Sequence, residues 1–157
     1  MNQPVIDISL QHSEWSTQLR DLQNLVLAVV GLTLDKAGID AQERELSIVL
    51  ANNDFVQKLN KEWRGKDRPT NVLSFPQDEP MLLGDIILAY ETVRDEAEAQ
   101  GKRFEAHATH LLVHGLLHLL GHDHIEDDEA ATMEALEIEI LAALNIKNPY
   151  DDESFMA

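Results

Sequence analysis

The pattern of apolar and polar residues predicts short strands followed by amphipathic helices. Residues 5–10 alternate like a half-buried strand, residues 46–51 form an apolar run typical of a buried strand, and two further strands are predicted at 71–75 and 84–90. Apolar residues recur at helical spacing over residues 14–34, 53–63, 92–100, 104–120 and 128–144. The acidic residues between positions 126 and 139 are expected to form the solvated face of the last helix.

These elements favour an α+β fold with one domain over residues 1–157. We expect a mixed sheet of about four strands packed with about five helices, because each apolar face must be buried against another element. The apolar helix at 104–120 is the best candidate for the centre of the fold. Residues 148–157, which include several acids, are expected to form a flexible tail.

The predicted central helix carries a seam of histidines. His114 and His118 are four residues apart, so their imidazoles lie on one helix face and can bind a single ion. Gly121 can end the helix, and the returning chain can bring His124 to the same ion. His107 and His110 lie further along the seam, where we expect them to support the site or line a cleft.

The donor set predicts one catalytic zinc ion per chain. Three neutral nitrogen ligands leave a fourth position open for water or substrate, although imidazoles also accept nickel, copper or iron. The spacing His-x-x-x-His-x-x-Gly-x-x-His is that of the metzincin zinc hydrolases. However, Gly115 stands where zinc proteases place their glutamate base. The chain has no cysteine, which excludes thiolate zinc, redox and disulfide chemistry.

Charge gives conflicting indications about nucleic acid. The net charge of -17 should repel it at long range, and it favours a soluble protein. No apolar run is long enough to span a membrane, so we expect a cytoplasmic protein with no membrane partner. Five of the twelve basic residues nevertheless lie between positions 58 and 68, around Trp63. Either Trp63 is a stacking surface within an RNA-binding patch, or it packs inwards beside a solvated loop.

Three segments together resemble the YbeY endoribonuclease family. They are NKEWRGKDRPTNVLSFP at residues 60–76, GDI at 84–86, and the histidine run at 114–124, with further similarity through IEDDEAATMEALE to NPY at 148–150. The resemblance implies a bacterial cytoplasmic, metal-dependent endoribonuclease that cleaves single-stranded RNA and not DNA. It further implies a role with the small ribosomal subunit, in maturation of the rRNA 3′ end and in ribosome quality control.

The resemblance also implies roles for individual residues. His114, His118 and His124 fall on the family's metal ligands, and Arg64 falls on the arginine of its Arg-x-Lys-Asp motif. His122 stands where many members have tyrosine. As a hypothesis, Arg64 clamps the scissile phosphate while flanking basic residues follow the RNA backbone, namely Lys61, Lys66 and Arg68.

The proton acceptor is open at this stage. His110, His122 and Asp123 are candidates, and the ribose 2′-hydroxyl can replace water as the nucleophile. Asp85 either orients a ligand histidine or caps backbone amides at the start of a strand. Two other functions are kept as alternatives: a zinc peptidase, and a non-catalytic ribosome assembly factor whose metal only stabilises the fold.

Overall fold

A four-stranded sheet and six helices make up the part of the chain that the structure describes. This computed structural model describes residues 4–42, 44–79, 81–121 and 127–150. The elements in chain order are β1 Val5–Leu10, α1 Glu14–Gln18, α2 Leu22–Lys36, β2 Glu45–Ala51, α3 Asn53–Arg64, β3 Val72–Glu79, β4 Leu82–Ala89, α4 Tyr90–Gln100, α5 Phe104–Leu119 and α6 Asp127–Ala143.

The sheet is mixed, as the sequence predicts. Its strand order is β1-β2-β4-β3. The strands β1, β2 and β4 are parallel to one another, whereas β3 pairs antiparallel with β4 at the edge. The predicted α+β class and four-stranded mixed sheet are therefore confirmed.

The histidine helix α5 occupies the centre of the fold. It packs against α2, α4, α6 and the strands β3 and β4. Its Leu116 and Leu117 are fully buried in the main apolar cluster, which also contains Ile48 of β2 and Ile86 of β4. The sheet and three helices thus hold α5 on most sides and fix the direction of its polar seam.

Gly115 allows α5 to approach the sheet closely. A Cβ atom at this position would lie 3.0 Å from Ser74 Oγ, 3.1 Å from Ile86 Cγ2 and 3.3 Å from Val72 Cγ2. These distances are shorter than ordinary contacts between carbon atoms. The residue directly after His114 therefore faces the sheet, and a side chain there would require these neighbours to shift by a few tenths of an ångström.

The helix predicted over residues 14–34 is in fact two helices. Between α1 and α2 the chain turns at Asp21, whose φ of 51° is left-handed. The turn allows Trp15 to be completely buried, where its indole Nε1 donates a hydrogen bond to Ala51 O at 2.9 Å. Tertiary packing of one large side chain outweighs the continuous helical pattern.

The strand predicted to end before Pro76 continues through it. β3 is an edge strand, where the missing N–H of proline costs no ladder hydrogen bond. Opposite Pro76 lies Gly84, at which a Cβ atom would be 2.4 Å from Phe75 O. The register shifts between Pro76 and Glu79.

Within the described ranges, no helix has both the length and the apolar character needed to cross a bilayer.

Candidate metal centre

Two imidazole nitrogens of α5 point to the same place. His114 Nε2 and His118 Nε2 are 3.0 Å apart, and the two rings are nearly perpendicular at 81°. Two nitrogens bound at about 2.05 Å to one tetrahedral zinc ion would lie about 3.3 Å apart. The pair therefore fits a shared ion with a shift of a few tenths of an ångström, as the i, i+4 spacing predicts.

Glu137 of α6 holds the other side of the His114 ring. Its Oε1 lies 2.5 Å from His114 Nδ1. A carboxylate at this nitrogen favours the tautomer in which Nδ1 carries the proton, so the lone pair on Nε2 faces His118. Glu137 thus orients a candidate ligand in the way that carboxylates commonly do in metal centres.

The surroundings of Glu137 keep it ionised. The residue is completely buried, and its Oε2 lies 3.4 Å from His110 Nε2 and accepts a hydrogen bond from the Tyr150 hydroxyl. Burial by itself raises the pKa of Glu137, but hydrogen bonds from His110, His114 and Tyr150 outweigh it and lower the pKa to about 2. The site therefore contains a fixed negative charge at neutral pH.

The sequence interpretation of Glu137 was wrong. It assigned the acids between 126 and 139 to a solvated face, whereas Glu137 is 0% exposed. Glu137 lies between the buried turns of α6 because Met133, Ile140 and Leu141, at i−4, i+3 and i+4, are all buried. That spacing was a signal that could have identified it.

A second set of possible ligands shares His114. His110, His114 and Glu137 each offer a ligand atom, and these atoms all lie within 4.8 Å of one another. This set could hold a metal ion, so two arrangements compete for the same imidazole. The predicted third ligand His124, together with His122 and Asp123, lies outside the described residues.

His107 and Asp85 have other partners. His107 Nε2 lies 2.8 Å from Glu96 Oε1 of α4, and burial lowers the pKa of His107 although Glu96 opposes this. The carboxylate of Asp85 accepts a hydrogen bond of 3.2 Å from the Gln77 amide across β3 and β4. Among the described residues, Glu137 is a carboxylate that does contact a candidate ligand.

Arg64 is tied to the strand that packs beside His114. Its Nη2 donates to Ser74 O at 2.9 Å, and its guanidinium carbon lies 5.4 Å from the centre of the Phe75 ring. Ser74 Oγ in turn donates to Gly115 O at 3.2 Å. A short path of contacts therefore joins Arg64 to the backbone directly after His114.

The basic segment forms an exposed surface beside this path. Lys61, Lys66 and Arg68 are all exposed, and Lys61 makes a 3.9 Å ion pair with Asp67. Trp63 is 67% exposed, so the alternative in which it packs inwards is wrong. The loop after α3 is held by Asn60, whose buried amide donates to Arg68 O at 2.9 Å.

The C-terminal end of the described chain returns to the centre. Tyr150 reaches Glu137, and Lys102 Nζ donates to Pro149 O at 3.5 Å. Residues 148–150, the first part of the predicted tail, contact the site through Pro149 and Tyr150. Residues 151–157 lie outside the described residues.

Fold and site together define a class: an α+β protein in which histidines of the central helix and a glutamate of α6 form a cluster, and α3 ends in an exposed arginine. Comparison with known proteins makes the class specific. The family model described as Endoribonuclease YbeY matches residues 7–145. The chain belongs to the YbeY endoribonuclease family, which confirms the resemblance inferred from the sequence.

Individual relatives cover nearly the whole chain. The protein named Endoribonuclease YbeY of Methylocella silvestris is 45% identical, over 95% of this chain and 87% of its own length. Its namesake in Paramagnetospirillum magneticum is 46% identical, over 94% of this chain and 96% of its own length. The solution structure of a Thermotoga maritima protein is similar with a TM-score of 0.60 and 26% identity, covering 94% of this chain and 99% of that one.

Proposed function

We propose that residues 1–157 act as one metal-dependent endoribonuclease domain that cleaves single-stranded RNA. The observation that carries the proposal is the His114–His118 nitrogen pair, 3.0 Å apart, with Arg64 anchored on the neighbouring strand. The names of the curated relatives, each an endoribonuclease, support the reaction class. In the cell the substrate is rRNA on the small ribosomal subunit, cleaved during 3′ end maturation and ribosome quality control.

The metal is one zinc ion per chain, bound by His114, His118 and His124. Two features of Glu137 favour this set over His110, His114 and Glu137. Both Glu137 oxygens already have hydrogen-bonding partners, and the residue is completely buried. A carboxylate whose two oxygens are engaged in this way orients a ligand histidine, whereas a catalytic ion needs an open position that substrate can reach.

The ion supplies Lewis acidity and a water of lowered pKa when it is bound. Glu137 keeps the Nε2 lone pair of His114 directed at it. Proton transfer falls to His110, His122 or Asp123, or the ribose 2′-hydroxyl is itself the nucleophile. Asp85 of β4 accepts a hydrogen bond from Gln77 and has no step in the proposed reaction.

Arg64 binds the scissile phosphate. Its hydrogen bond to Ser74 O fixes the guanidinium with one of five N–H donors, and the fork that remains suits two phosphate oxygens. Because the guanidinium is always charged, it offsets the charge that develops on the phosphorus oxygens during cleavage. The proposed site thus has two parts: the histidines bind the metal, and Arg64 binds the phosphate.

The exposed surface around Trp63 binds the flanking RNA. Lys61, Lys66 and Arg68 contact successive phosphates, while the Trp63 ring stacks on a base. The interaction is local, since the chain as a whole carries a net charge of -17. This arrangement suits single strands, whose bases are accessible for stacking, and not a paired duplex.

The two alternative functions gain no support from the geometry. A peptidase of the metzincin type needs a glutamate base after the first histidine, but here that position faces Ser74 and Ile86. A metal that only stabilises the fold does not explain why Arg64 is anchored on Ser74, which contacts the backbone directly after His114.

The experiment compares metal content and cleavage of single-stranded RNA in three proteins purified free of contaminating nuclease. We expect the wild type to bind one zinc ion and cleave, and His118→Ala to lose both properties. We expect His110→Ala to retain the ion, because Glu137 and His118 still fix His114. Circular dichroism confirms that each variant is folded.

The opposite pattern would overturn the assignment. If His110→Ala loses the ion and His118→Ala keeps it, the ion is bound by His110, His114 and Glu137. If His118→Ala cleaves RNA as fast as wild type, the proposed active site is wrong.

A further inference from the structure

The polar seam of α5 continues beyond the metal centre into a cavity. A space of about 300 Å³ lies between α4, α5 and the segment that ends at Tyr150, and His114 forms part of its wall. The volume is at the lower end of the range for sites that bind small molecules. Because His114 is part of its wall, the cavity adjoins the candidate metal centre.

The walls present hydrogen-bonding groups of both kinds. Glu96 Oε1 accepts from Asn71 Nδ2 at 3.1 Å and lies 2.8 Å from His107 Nε2, which fixes an acceptor in the wall. Lys102, also in the lining, contacts Pro149 O through its Nζ, and burial lowers the pKa of Lys102. Gln100 adds an exposed amide at the rim.

Two ring nitrogens in this wall lack partners. His107 has a side chain only 5% exposed, and its Nδ1 makes no hydrogen bond with any described residue. His110 Nδ1 is likewise buried and makes no hydrogen bond with any described residue. Neither atom is accessible to solvent, so both face the packed side of the wall, and a ligand in the cavity would meet the other polar groups of the lining.

The cavity also has an aromatic wall. The rings of His110 and Tyr150 meet edge to face, with centres 5.6 Å apart and planes at 87°. Histidine and tyrosine are side chains on which unpaired RNA bases commonly rest. Leu111 and Pro149 add apolar surface to the lining.

We propose that this cavity receives one unstacked base of the RNA, from a nucleotide next to the scissile phosphate. A phosphate is disfavoured because the carboxylates of Glu96 and Glu137 lie in or beside the wall. A purely apolar ligand is disfavoured by the number of polar groups. A base combines a flat ring with donors and acceptors at its edge, and it matches both features. The inference rests on the proposed endoribonuclease function.

The test combines abasic substitution in the RNA with a variant that fills the cavity. The substrates are a single-stranded oligoribonucleotide with one cleavage position and a series in which each nucleotide in turn lacks its base. The protein is the zinc-loaded wild type or Gln100→Trp, which places a large side chain at the rim. Gln23→Trp, at an exposed position of α2, is the matched control.

We expect one abasic position beside the cleavage site to lower kcat/KM of the wild type about tenfold, the size of one lost base contact. Gln100→Trp lowers kcat/KM on intact RNA by a similar factor, and the same abasic position then causes no additional loss. Gln23→Trp behaves like wild type on every substrate.

Two results would overturn the proposal while leaving the proposed function intact. In the first, no abasic position next to the cleavage site affects the wild type. In the second, the effects of Gln100→Trp and of the abasic position multiply, so that they are independent. If the zinc-loaded wild type cleaves no intact RNA, the proposed function itself fails, and the base pocket fails with it.

Discussion

Replacing Glu137 by glutamine tests how the metal centre is held. The change keeps the shape of a fully buried side chain but removes its charge, while three partners remain around it, His110, His114 and Tyr150. The pKa of Glu137 is lowered from 4.5 to about 2. A shift of that size corresponds to about 3 kcal/mol of net interaction between the carboxylate and its surroundings.

Only part of this interaction is transmitted to the ion. Loss of a carboxylate that orients a ligand histidine typically lowers metal affinity 10- to 100-fold, or about 1.4 to 2.8 kcal/mol. We therefore expect Glu137→Gln to bind zinc about 10- to 100-fold more weakly at pH 7 and to unfold at lower urea concentration. The control is Glu134→Gln, an exposed position one turn earlier on α6.

The assay is competition for zinc with a chromogenic chelator, performed on both variants and on wild type. Wild-type affinity in Glu137→Gln would refute the reasoning that this carboxylate orients His114. An equal loss in Glu134→Gln would show that the effect comes from general charge and not from the contact with His114.

Three further predictions concern packing, phosphate binding and RNA binding. Gly115→Glu places a charged side chain against Ile86 and the sheet, so we expect the free energy of unfolding, measured in urea, to fall by at least about 3 kcal/mol. A variant as stable as wild type would contradict the packing in this region. Arg64→Lys keeps the charge but loses the planar guanidinium, so we expect kcat to fall at least about tenfold while the zinc content stays unchanged. A kcat equal to that of wild type would show that Arg64 does not bind two phosphate oxygens at once. Trp63→Ala, at a 67% exposed position, should leave unfolding within about 0.5 kcal/mol of wild type but weaken RNA binding by about 1 to 3 kcal/mol in a titration. A large loss of stability with unchanged RNA affinity would assign the Trp63 ring to the core instead.

The local sequence was sufficient to predict the elements whose bounds follow from hydrophobic periodicity and capping residues. Asn52 precedes α3, and its side chain accepts a hydrogen bond from Phe55 N, as expected for a capping residue. The strand at residues 5–10 has the predicted bounds, and α5 differs from its prediction by one residue. In these cases periodicity and capping residues agree with tertiary packing.

The predictions were wrong where a contact between residues far apart in the sequence determines the local structure. The break between α1 and α2 contains no glycine or proline that would have predicted it. The chain breaks there because Trp15 is buried against the end of β2. Pro76 is compatible with a strand only because β3 lies at the edge of the sheet, a fact of topology. Neither feature is encoded in nearby residues.

The candidate site shows the same division. The spacing of His114 and His118 predicted their shared geometry, which the structure reproduces at 3.0 Å between nitrogens. Glu137 was missed because acidity was taken to mean exposure, although buried residues precede and follow it at helical spacing. Charge alone left the side chain of Trp63 undecided, and only the fold shows that it is exposed.

The most direct test of the central claim is a single-turnover cleavage assay on single-stranded RNA with zinc-loaded wild type and His118→Ala. Both proteins are examined by circular dichroism and metal analysis in the same preparation. We predict that the wild type contains one zinc ion and cleaves, whereas folded His118→Ala contains none and leaves the RNA intact. Cleavage at the wild-type rate by a folded, zinc-free His118→Ala would contradict the account.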